Sequence, residues 1–268
     1  MQHNIEKWNR TSLAGYVVCG AAGENALLAA EEKIAVWETA ARHAGSEKLL
    51  IADAGVESVR ETVCLANRAA AIGYKAALAG PPKYYRGLMN REAQMLYFRA
   101  VADQSRIPII LDNRSHAPIE LAVDTLAALS EHPNIVAVRE CSRDPERITG
   151  IKRAIQPGVR VLTGSAASLW PSLAAGGSGA ILAFASAAPY AVIAIWEAHR
   201  MREEEAGLDL QNRIARAAGL VSDTYGIPGL KYAMDLNGYY GGPPRLPFSV
   251  PLQAARQEIA EAFRDIKG

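Results

Sequence analysis

Short apolar runs alternate with segments of helical periodicity along most of this 268-residue chain. The runs begin near residues 15, 48, 75, 107, 134, 160 and 179, and their length suits β-strands. Strands that alternate with helices predict a parallel sheet whose connections are right-handed crossovers. The sequence therefore predicts an α/β protein, and a (β/α)8 TIM-type barrel with a helical C-terminal extension fits this order of elements best.

The predicted strands number seven, one fewer than the eight that close such a barrel. We expect the first strand to be missing from this chain, because it should precede the helix predicted over residues 4–13. An open doubly wound sheet is the structural alternative, but no G-x-G-x-x-G motif with an acidic ribose partner supports a dinucleotide site.

The domain organisation follows from the absence of any composition break, linker or short repeat. Residues 1–188 are predicted to form the barrel. Residues 189–268 are predicted to form its last helix and the C-terminal extension, within one structural unit. Among the helices, the one predicted over Ser58–Ile72 should end at Gly73, since glycine is common just past a helix end.

Composition excludes several classes of protein. Hydrophobic residues make up 50% of the chain and charged residues 21%, which is typical of a globular protein with a sizeable core. The formal net charge of +1 argues against a large basic face for nucleic acid, and no apolar run has the length of a membrane span. Three widely spaced cysteines (Cys19, Cys64 and Cys141) and a polar N-terminus predict reduced thiols in a cytoplasmic protein.

The stretch Asn134–Glu140 joins a predicted strand to two charged residues. Four apolar residues, Ile135 to Val138, follow one another without a polar break, as in a strand buried on both faces. The strand then ends in Arg139 and Glu140. Ligands meet parallel α/β folds at the carboxyl ends of strands, so these side chains are candidates for a site. The alternative is an ion pair that caps the strand.

Several motifs, taken in order and spacing, make the chain similar to a known family. They are Gly20-Ala-Ala-Gly-Glu24, Pro82-Lys-Tyr-Tyr-Arg-Gly87, His132-Pro-Asn-Ile-Val-Ala-Val-Arg139, Gly164-Ser-Ala166, Tyr225-Gly-Ile-Pro-Gly-Leu-Lys231 and Asp235-Leu-Asn-Gly-Tyr-Tyr-Gly-Gly-Pro-Pro244. The chain resembles the dihydrodipicolinate synthase / N-acetylneuraminate lyase family over essentially its whole length. Within that family it looks closest to 4-hydroxy-2-oxoglutarate aldolases.

The resemblance implies a homo-oligomeric barrel, a dimer or tetramer, that condenses or cleaves 2-oxo acids such as pyruvate without a cofactor. It also implies a strand lysine that forms an imine with the substrate ketone, which would stabilise the carbanion formed on C–C cleavage. The implied catalytic positions are Arg139 for the lysine, Asp112 for a tyrosine that handles protons, and Tyr84 and Tyr85.

The resemblance further implies a substrate-binding set that comprises the turn residues Gly20, Ala21 and Ala22 together with Ser165 and Ala183. The family's turn hydroxyls are absent here, because alanine stands at both positions.

Three central groups of the family's chemistry are therefore replaced. Arginine stays protonated near neutral pH and is a very poor imine-forming nucleophile. With Asp112 at the tyrosine position and no turn hydroxyls, the sequence predicts a divergent member that binds a small 2-oxo acid and has weak or no Schiff-base activity. Arg139 is expected either to hold a substrate carboxylate or to pair with Asp112.

Two alternatives to this divergent member are considered. One is an active aldolase, and the other is a protein without catalytic activity. An active aldolase would need a relocated lysine, for which Lys83 is the candidate, or a metal. Metal ligands would come from Asp53, where the family usually has a small residue, and from Asp112, Glu140 and His116, although these acids are expected to neutralise Arg139 instead. The other alternative is a non-catalytic partner of an active paralogue.

Overall fold

The computed structural model describes residues 1–114 and 119–267. Its seven strands form one sheet in which each strand pairs in parallel with the next along the chain. The strands are β1 (Gly15–Val18), β2 (Leu49–Asp53), β3 (Ala76–Ala79), β4 (Ile109–Asn113), β5 (Ile135–Glu140), β6 (Arg160–Thr163) and β7 (Gly179–Ala180). The alternation predicted from the sequence is confirmed.

Helices precede, connect and follow the strands. The α-helices are α1 (Gln2–Asn9), α2 (Ala30–His43), α3 (Val59–Ile72), α4 (Arg91–Gln104), α5 (Val123–Ser130), α6 (Pro145–Ala154), α7 (Leu169–Ala174), α8 (Pro189–Met201), α9 (Glu204–Gly219), α10 (Gly226–Leu236) and α11 (Gln253–Ala262). The absence of a first barrel strand from this chain, the helical C-terminal extension and the division at residue 188 stay predictions. In the described part of the chain, no helix is both long and apolar enough to span a membrane.

Local sequence signals set the helix ends. Ser58 precedes α3, where its hydroxyl accepts a hydrogen bond from the amide of Glu61, and Gly73 ends the helix with a φ of 113°. Only glycine adopts that backbone conformation without steric cost. At α6, Asp144 accepts from the amide of Glu146 and Pro145 occupies the first turn. The end predicted at Gly73 is confirmed.

Both faces of the sheet are apolar, which explains the uninterrupted apolar runs. A large cluster lies between the strands and the helices of the N-terminal two thirds. A smaller inner cluster faces away from those helices, and it contains Ile51, Ala76, Leu78, Ile110 and Ala137. Because successive side chains of a strand point to opposite faces, the residues two positions beyond these lie on the same inner side.

The N-terminal helix is clasped to the C-terminal part of the chain. The side-chain amide of Asn4 donates to the Tyr240 carbonyl at 2.9 Å, and the Tyr240 amide donates back to Asn4 at 2.7 Å. Trp8 stacks on Tyr239 with ring centroids 5.6 Å apart. These contacts bring the first helix against the segment that follows α10.

The first strand pair depends on a close approach at Gly15. This residue pairs with Leu49, and a Cβ at position 15 would lie 2.0 Å from the Leu49 carbonyl oxygen. We expect Gly15→Ala to lower the free energy of unfolding by about 1–3 kcal/mol or more, because backbone must move apart. Urea denaturation measures the change.

Gly150→Ala is the matched control. Gly150 lies inside α6, and nothing would stand within 4 Å of the added Cβ. Alanine there should raise the free energy of unfolding by up to about 1 kcal/mol through helix propensity. Equal effects of the two substitutions would contradict the close approach at Gly15.

Candidate active site

Three charged side chains continue the inner face of the sheet at its carboxyl edge. Asp53, Asp112 and Arg139 each stand two residues beyond a member of the inner apolar cluster, namely Ile51, Ile110 and Ala137 respectively. All three charged residues are buried. Since an isolated buried charge is costly, these groups require partners.

The partners form a chain of alternating charges. Asp112 stands directly opposite Arg139 in the β4–β5 pairing, and Nη1 of Arg139 donates to Oδ1 of Asp112 at 2.7 Å. The other Asp112 oxygen accepts from Nε of Arg114. Nη2 of Arg114 lies 3.3 Å from Oδ2 of Asp53. We call Asp53, Arg114, Asp112 and Arg139 the carboxylate–guanidinium chain.

Arg139 is fixed on three sides. Besides Asp112, its Nε donates to the Ile181 carbonyl at 3.0 Å and its Nη2 to the Gly164 carbonyl at 3.4 Å. A Cβ at Gly164 would come within 3.1 Å of the guanidinium carbon. Burial opposes the charge of Arg139, but Asp112 outweighs it and raises the pKa of the guanidinium above its ordinary value. Arg139 is therefore protonated, and its Nε, Nη1 and Nη2 all donate hydrogen bonds that hold the side chain in place.

The two carboxyl groups of the chain differ in protonation. Burial raises the pKa of Asp112, but Arg139 and Arg114 outweigh burial, so that the pKa lies below its usual range. Burial and the neighbouring Asp112 raise the pKa of Asp53 to about 7, against the opposing effect of Arg114, Arg139 and Lys33. Asp112 is thus ionised at neutral pH, whereas Asp53 titrates there.

Glu140 lies on the opposite face of the sheet from Arg139. Its carboxylate accepts from Nδ2 of Asn113 at 2.7 Å, from Nε of Arg147 at 3.1 Å and from the amide of Ser142 at 2.8 Å. This network faces the helices and satisfies the buried carboxylate. Glu140 therefore belongs to a structural network, apart from the inner site to which the sequence could have assigned it.

The candidate metal ligands do not converge. Asp53 and Asp112 are on the inner face and Glu140 is on the outer face, while His116 lies outside the described residues. Within residues 1–114 and 119–267, no group of three or more histidine, cysteine, aspartate or glutamate side chains is placed to hold a metal ion.

The turn after β1 is held by Glu24. Ala21–Gly23 forms a 3-10 helix, and Glu24 follows with a φ of 59°. The Glu24 carboxylate accepts from Nζ of Lys231 at 2.6 Å and from the amide of Arg245 at 2.7 Å. The expected binding residues Gly20, Ala21 and Ala22 thus lie at the carboxyl edge of β1, in a turn anchored to the C-terminal part of the chain.

Tyr84 and Tyr85 are not brought into the carboxylate–guanidinium chain. Their side chains are 78% and 67% exposed, and their rings meet edge to face with centroids 4.9 Å apart. Glu57 holds their loop by accepting from the amides of Lys83 and Tyr84. Within the described chain, neither ring contacts a member of the carboxylate–guanidinium chain.

Ser165 and Ala183 follow β6 and β7 at the carboxyl edge of the sheet, where the carboxylate–guanidinium chain also lies. The amide of Ser165 donates to the hydroxyl of Thr163 at 3.4 Å, and Ala183 begins a 3-10 helix two residues beyond Ile181. Both positions are therefore next to the carbonyls that hold Arg139. Neither side chain hydrogen-bonds to the carboxylate–guanidinium chain in the part of the protein that the structure describes.

Two residues of this region were not singled out from the sequence. Arg114 stands two positions beyond Asp112, so side-chain alternation would have indicated it. Lys33 is 4% exposed and lies one helical turn before Trp37, whose indole donates to the carbonyl of Val18 at the end of β1. Since α2 runs back along β1, this spacing places Lys33 at the carboxyl edge of the sheet.

Comparison with known sequences identifies similar proteins along the full length of the chain. The profile of the dihydrodipicolinate synthetase family matches residues 1–266. A probable mitochondrial 4-hydroxy-2-oxoglutarate aldolase of Emericella nidulans is 33% identical over 263 residues, covering 96% of this chain and 84% of that protein. The L-threo-3-deoxy-hexylosonate aldolase of Hypocrea jecorina is 31% identical over 279 residues, covering 99% and 88%.

Solved structures share the fold. Dihydrodipicolinate synthase DapA-2 of Bacillus anthracis superposes with a TM-score of 0.93 at 22% identity, covering 100% of this chain and 91% of the other. The chloride-inhibited dihydrodipicolinate synthase of Acinetobacter baumannii, complexed with pyruvate, gives a TM-score of 0.90 at 25% identity, covering 99% and 91%. The curled seven-stranded sheet with its helices is thus a TIM-barrel-like fold.

The buried Asp112 carboxylate should dominate stability. We expect Asp112→Asn to lower the free energy of unfolding by about 3–5 kcal/mol, because it leaves the buried guanidinium of Arg139 without its counter-charge and removes one of the two carboxylates that Arg114 contacts. Urea denaturation at neutral pH measures this. Asp209→Asn is the control, since Asp209 pairs with Arg213 at an exposed i,i+4 position and should change stability by no more than about 0.5 kcal/mol. Equal losses would contradict the role of Asp112.

The raised pKa of Asp53 should appear as a pH dependence of stability. A carboxyl group that binds its proton more tightly in the folded state stabilises the fold at low pH, and this contribution is lost as pH rises from about 4 towards about 7. We therefore expect the stability of Asp53→Asn, relative to wild type, to increase with pH by up to about 1.4 kcal/mol per unit in that interval. Denaturation series for both proteins at several pH values test this, and a constant difference would refute it.

Proposed function

The chain belongs to the dihydrodipicolinate synthetase family, and on that premise we propose that it is a divergent lyase or aldolase that binds a small 2-oxo acid such as pyruvate. We further propose that its imine chemistry is weak or absent. The observation that carries this proposal is the state of Arg139, at the end of the strand whose sequence resembles the lysine-bearing strand of the family.

Arg139 lacks what an imine requires. Imine formation begins with attack by an unprotonated amine, and the guanidinium beside Asp112 stays protonated. Its Nε, Nη1 and Nη2 donate to the Ile181 carbonyl, Asp112 and the Gly164 carbonyl. Arg139 therefore acts in this proposal as part of the site's charge, and a carboxylate ligand would have to displace existing bonds to use its fork.

The remaining charges support binding of an anion. Three cationic side chains, those of Lys33, Arg114 and Arg139, act on the carboxyl group of Asp53, and the acidic group that acts on it is Asp112. The cations exceed the carboxylates even when both acids are ionised. The Arg114 side chain is 29% exposed, so a solvent-borne carboxylate has a cation to meet. The names of the relatives and the pyruvate in the Acinetobacter structure make a 2-oxo acid the class of anion to test.

A relocated lysine is less well supported. Lys83 is exposed on the loop that Glu57 holds, and its side chain makes no hydrogen bond or ion pair with any described residue. This second candidate function would nevertheless leave a chemical trace, which the following experiment detects.

Pyruvate should bind to the protein without forming a covalent bond to it. We expect pyruvate to raise the melting temperature, since a ligand of the folded state stabilises it by mass action. Borohydride added with pyruvate should leave the intact mass of the protein unchanged. A lysine-bearing member of the family, treated in parallel, is the positive control. A covalent adduct mapped to Lys83 or any other lysine would refute the proposal.

Restoring the lysine should not restore the chemistry. In Arg139→Lys, Asp112 would stand beside the new ammonium group and hold its proton, while Ala21 and Ala22 still supply no hydroxyl. We expect no borohydride-trapped adduct and no gain in the cleavage of 4-hydroxy-2-oxoglutarate above background. Activity close to that of the lysine-bearing control would contradict this expectation, because it would show that the arginine at position 139 alone accounts for the lost chemistry.

A further inference from the structure

Asp53 has one engaged oxygen and one open oxygen. Its Oδ2 meets Nη2 of Arg114 at 3.3 Å, whereas Oδ1 accepts no hydrogen bond from a described residue. Buried polar side-chain atoms without a partner occur in the described chain only at Ser168, Ser172 and Tyr239. Oδ1 of Asp53 is not among these atoms, so it is not completely sealed off, although the residue as a whole is only 3% exposed.

Arg114 presents a cation next to this open oxygen. Its Nε and Nη2 hold Asp112 and Asp53, while its Nη1 donates to no residue that the structure describes. Like Oδ1 of Asp53, Nη1 of Arg114 is not among the buried side-chain atoms that lack a partner. It therefore faces solvent. A carboxylate lone pair and a guanidinium N–H are thus available side by side on the inner face of the sheet.

We propose that Asp53 and Arg114 enolise a bound 2-oxo acid directly, without a covalent intermediate. The inference rests on the proposed function, because it requires the 2-oxo acid to bind at this edge of the sheet. Asp53 is the base and Arg114 the cation that stabilises the enolate oxygen, a role that elsewhere belongs to an imine or a metal.

The step balances without a further reactant. The Asp53 carboxylate takes a proton from C3, and the C–H electron pair forms the C2=C3 double bond. The C2=O π pair moves onto oxygen, where Arg114 donates a hydrogen bond. Return of the proton reverses the step. In a 4-hydroxy-2-oxo acid, removal of the hydroxyl proton and cleavage of C3–C4 would yield the same enolate and an aldehyde.

Asp53 suits this role better than Asp112. Both oxygens of Asp112 accept from arginines, and these guanidinium groups hold the pKa of Asp112 below its usual range, which makes it the weaker base. The groups that act on Asp53 are Asp112 and Arg114 from β4 and its end, Arg139 from β5 and Lys33 from α2. Their balance leaves Asp53 partly ionised near neutral pH, where a general base is most effective.

Deuterium exchange at C3 tests the inference. The intact protein is incubated with pyruvate in D2O, and loss of the methyl proton signal is followed by NMR against a protein-free sample. We expect protein-dependent exchange that rises with pH and levels off above about 7, as Asp53 ionises. Pretreatment of the protein with borohydride and pyruvate, followed by removal of both, should not reduce the rate.

Two variants separate the roles. Asp53→Asn should lower the exchange rate by about a hundredfold or more while pyruvate still binds. Arg114→Gln should also lower exchange, with weaker pyruvate binding, and it provides an independent test if Asp53→Asn does not fold. Asp209→Asn, at the exposed pair with Arg213, should exchange like the wild type.

The outcomes distinguish this inference from the proposed function. Saturation-transfer NMR measures pyruvate binding in the same samples. Absence of binding would overturn both, whereas binding without exchange would overturn only the inference. Exchange that persists in a folded Asp53→Asn protein, or that is abolished by the pretreatment with borohydride and pyruvate, would assign the chemistry to another group.

Discussion

The Asp112 carboxylate, shared between two guanidinium groups, is the interaction on which the candidate site depends. Arg139 and Arg114 each donate to a different oxygen of it, and without it the buried guanidinium of Arg139 would have no carboxylate partner and Arg114 would keep only Asp53. The β4–β5 register places Asp112 opposite Arg139. The pairing of strands and the pairing of charges therefore support one another. The carboxylate–guanidinium chain lies directly above the inner apolar cluster of the sheet.

Consecutive residues of β4 and β5 serve different networks. Asp112 and Arg139 point inward, whereas Asn113 and Glu140 point towards the helices, where Arg147 completes the bonds of Glu140. Each face satisfies its own buried charges. The outer network holds the ends of the strands to α6, while the inner network remains accessible to solvent at Arg114. A single pair of strand ends thus supplies both a structural connection and a candidate site.

The order of elements could be predicted from the sequence because burial on both faces leaves a clear alternation of apolar strands and amphipathic helices. The pairing of Arg139 with Asp112 was one of two expectations, since charge neutralisation is a general requirement of buried ions. Glu140 could not be assigned to its face in advance, because β5 has apolar residues on both sides and a shift of register occurs between Ile109 and Ile110. Side-chain alternation beyond Asp112 could have indicated Arg114, whereas the contribution of Lys33 depends on how α2 packs against the sheet, which periodicity alone does not report. The expected catalytic contribution of Tyr84 and Tyr85 remains a prediction, since their rings do not contact the carboxylate–guanidinium chain.

The clasp between α1 and the segment after α10 has a consequence for how the protein acquires its structure. Asn4 and Tyr240 bond across 236 positions of sequence, so this contact cannot form until almost the whole chain has been synthesised. Contacts of such high sequence separation slow folding because the chain entropy is lost before the contact forms. During synthesis, Ile5 and Trp8 would leave the ribosome long before Tyr239 does. α1 can therefore meet its early partners, such as Tyr16 and His43, well before the contacts with Tyr239 and Tyr240 that complete its packing become possible.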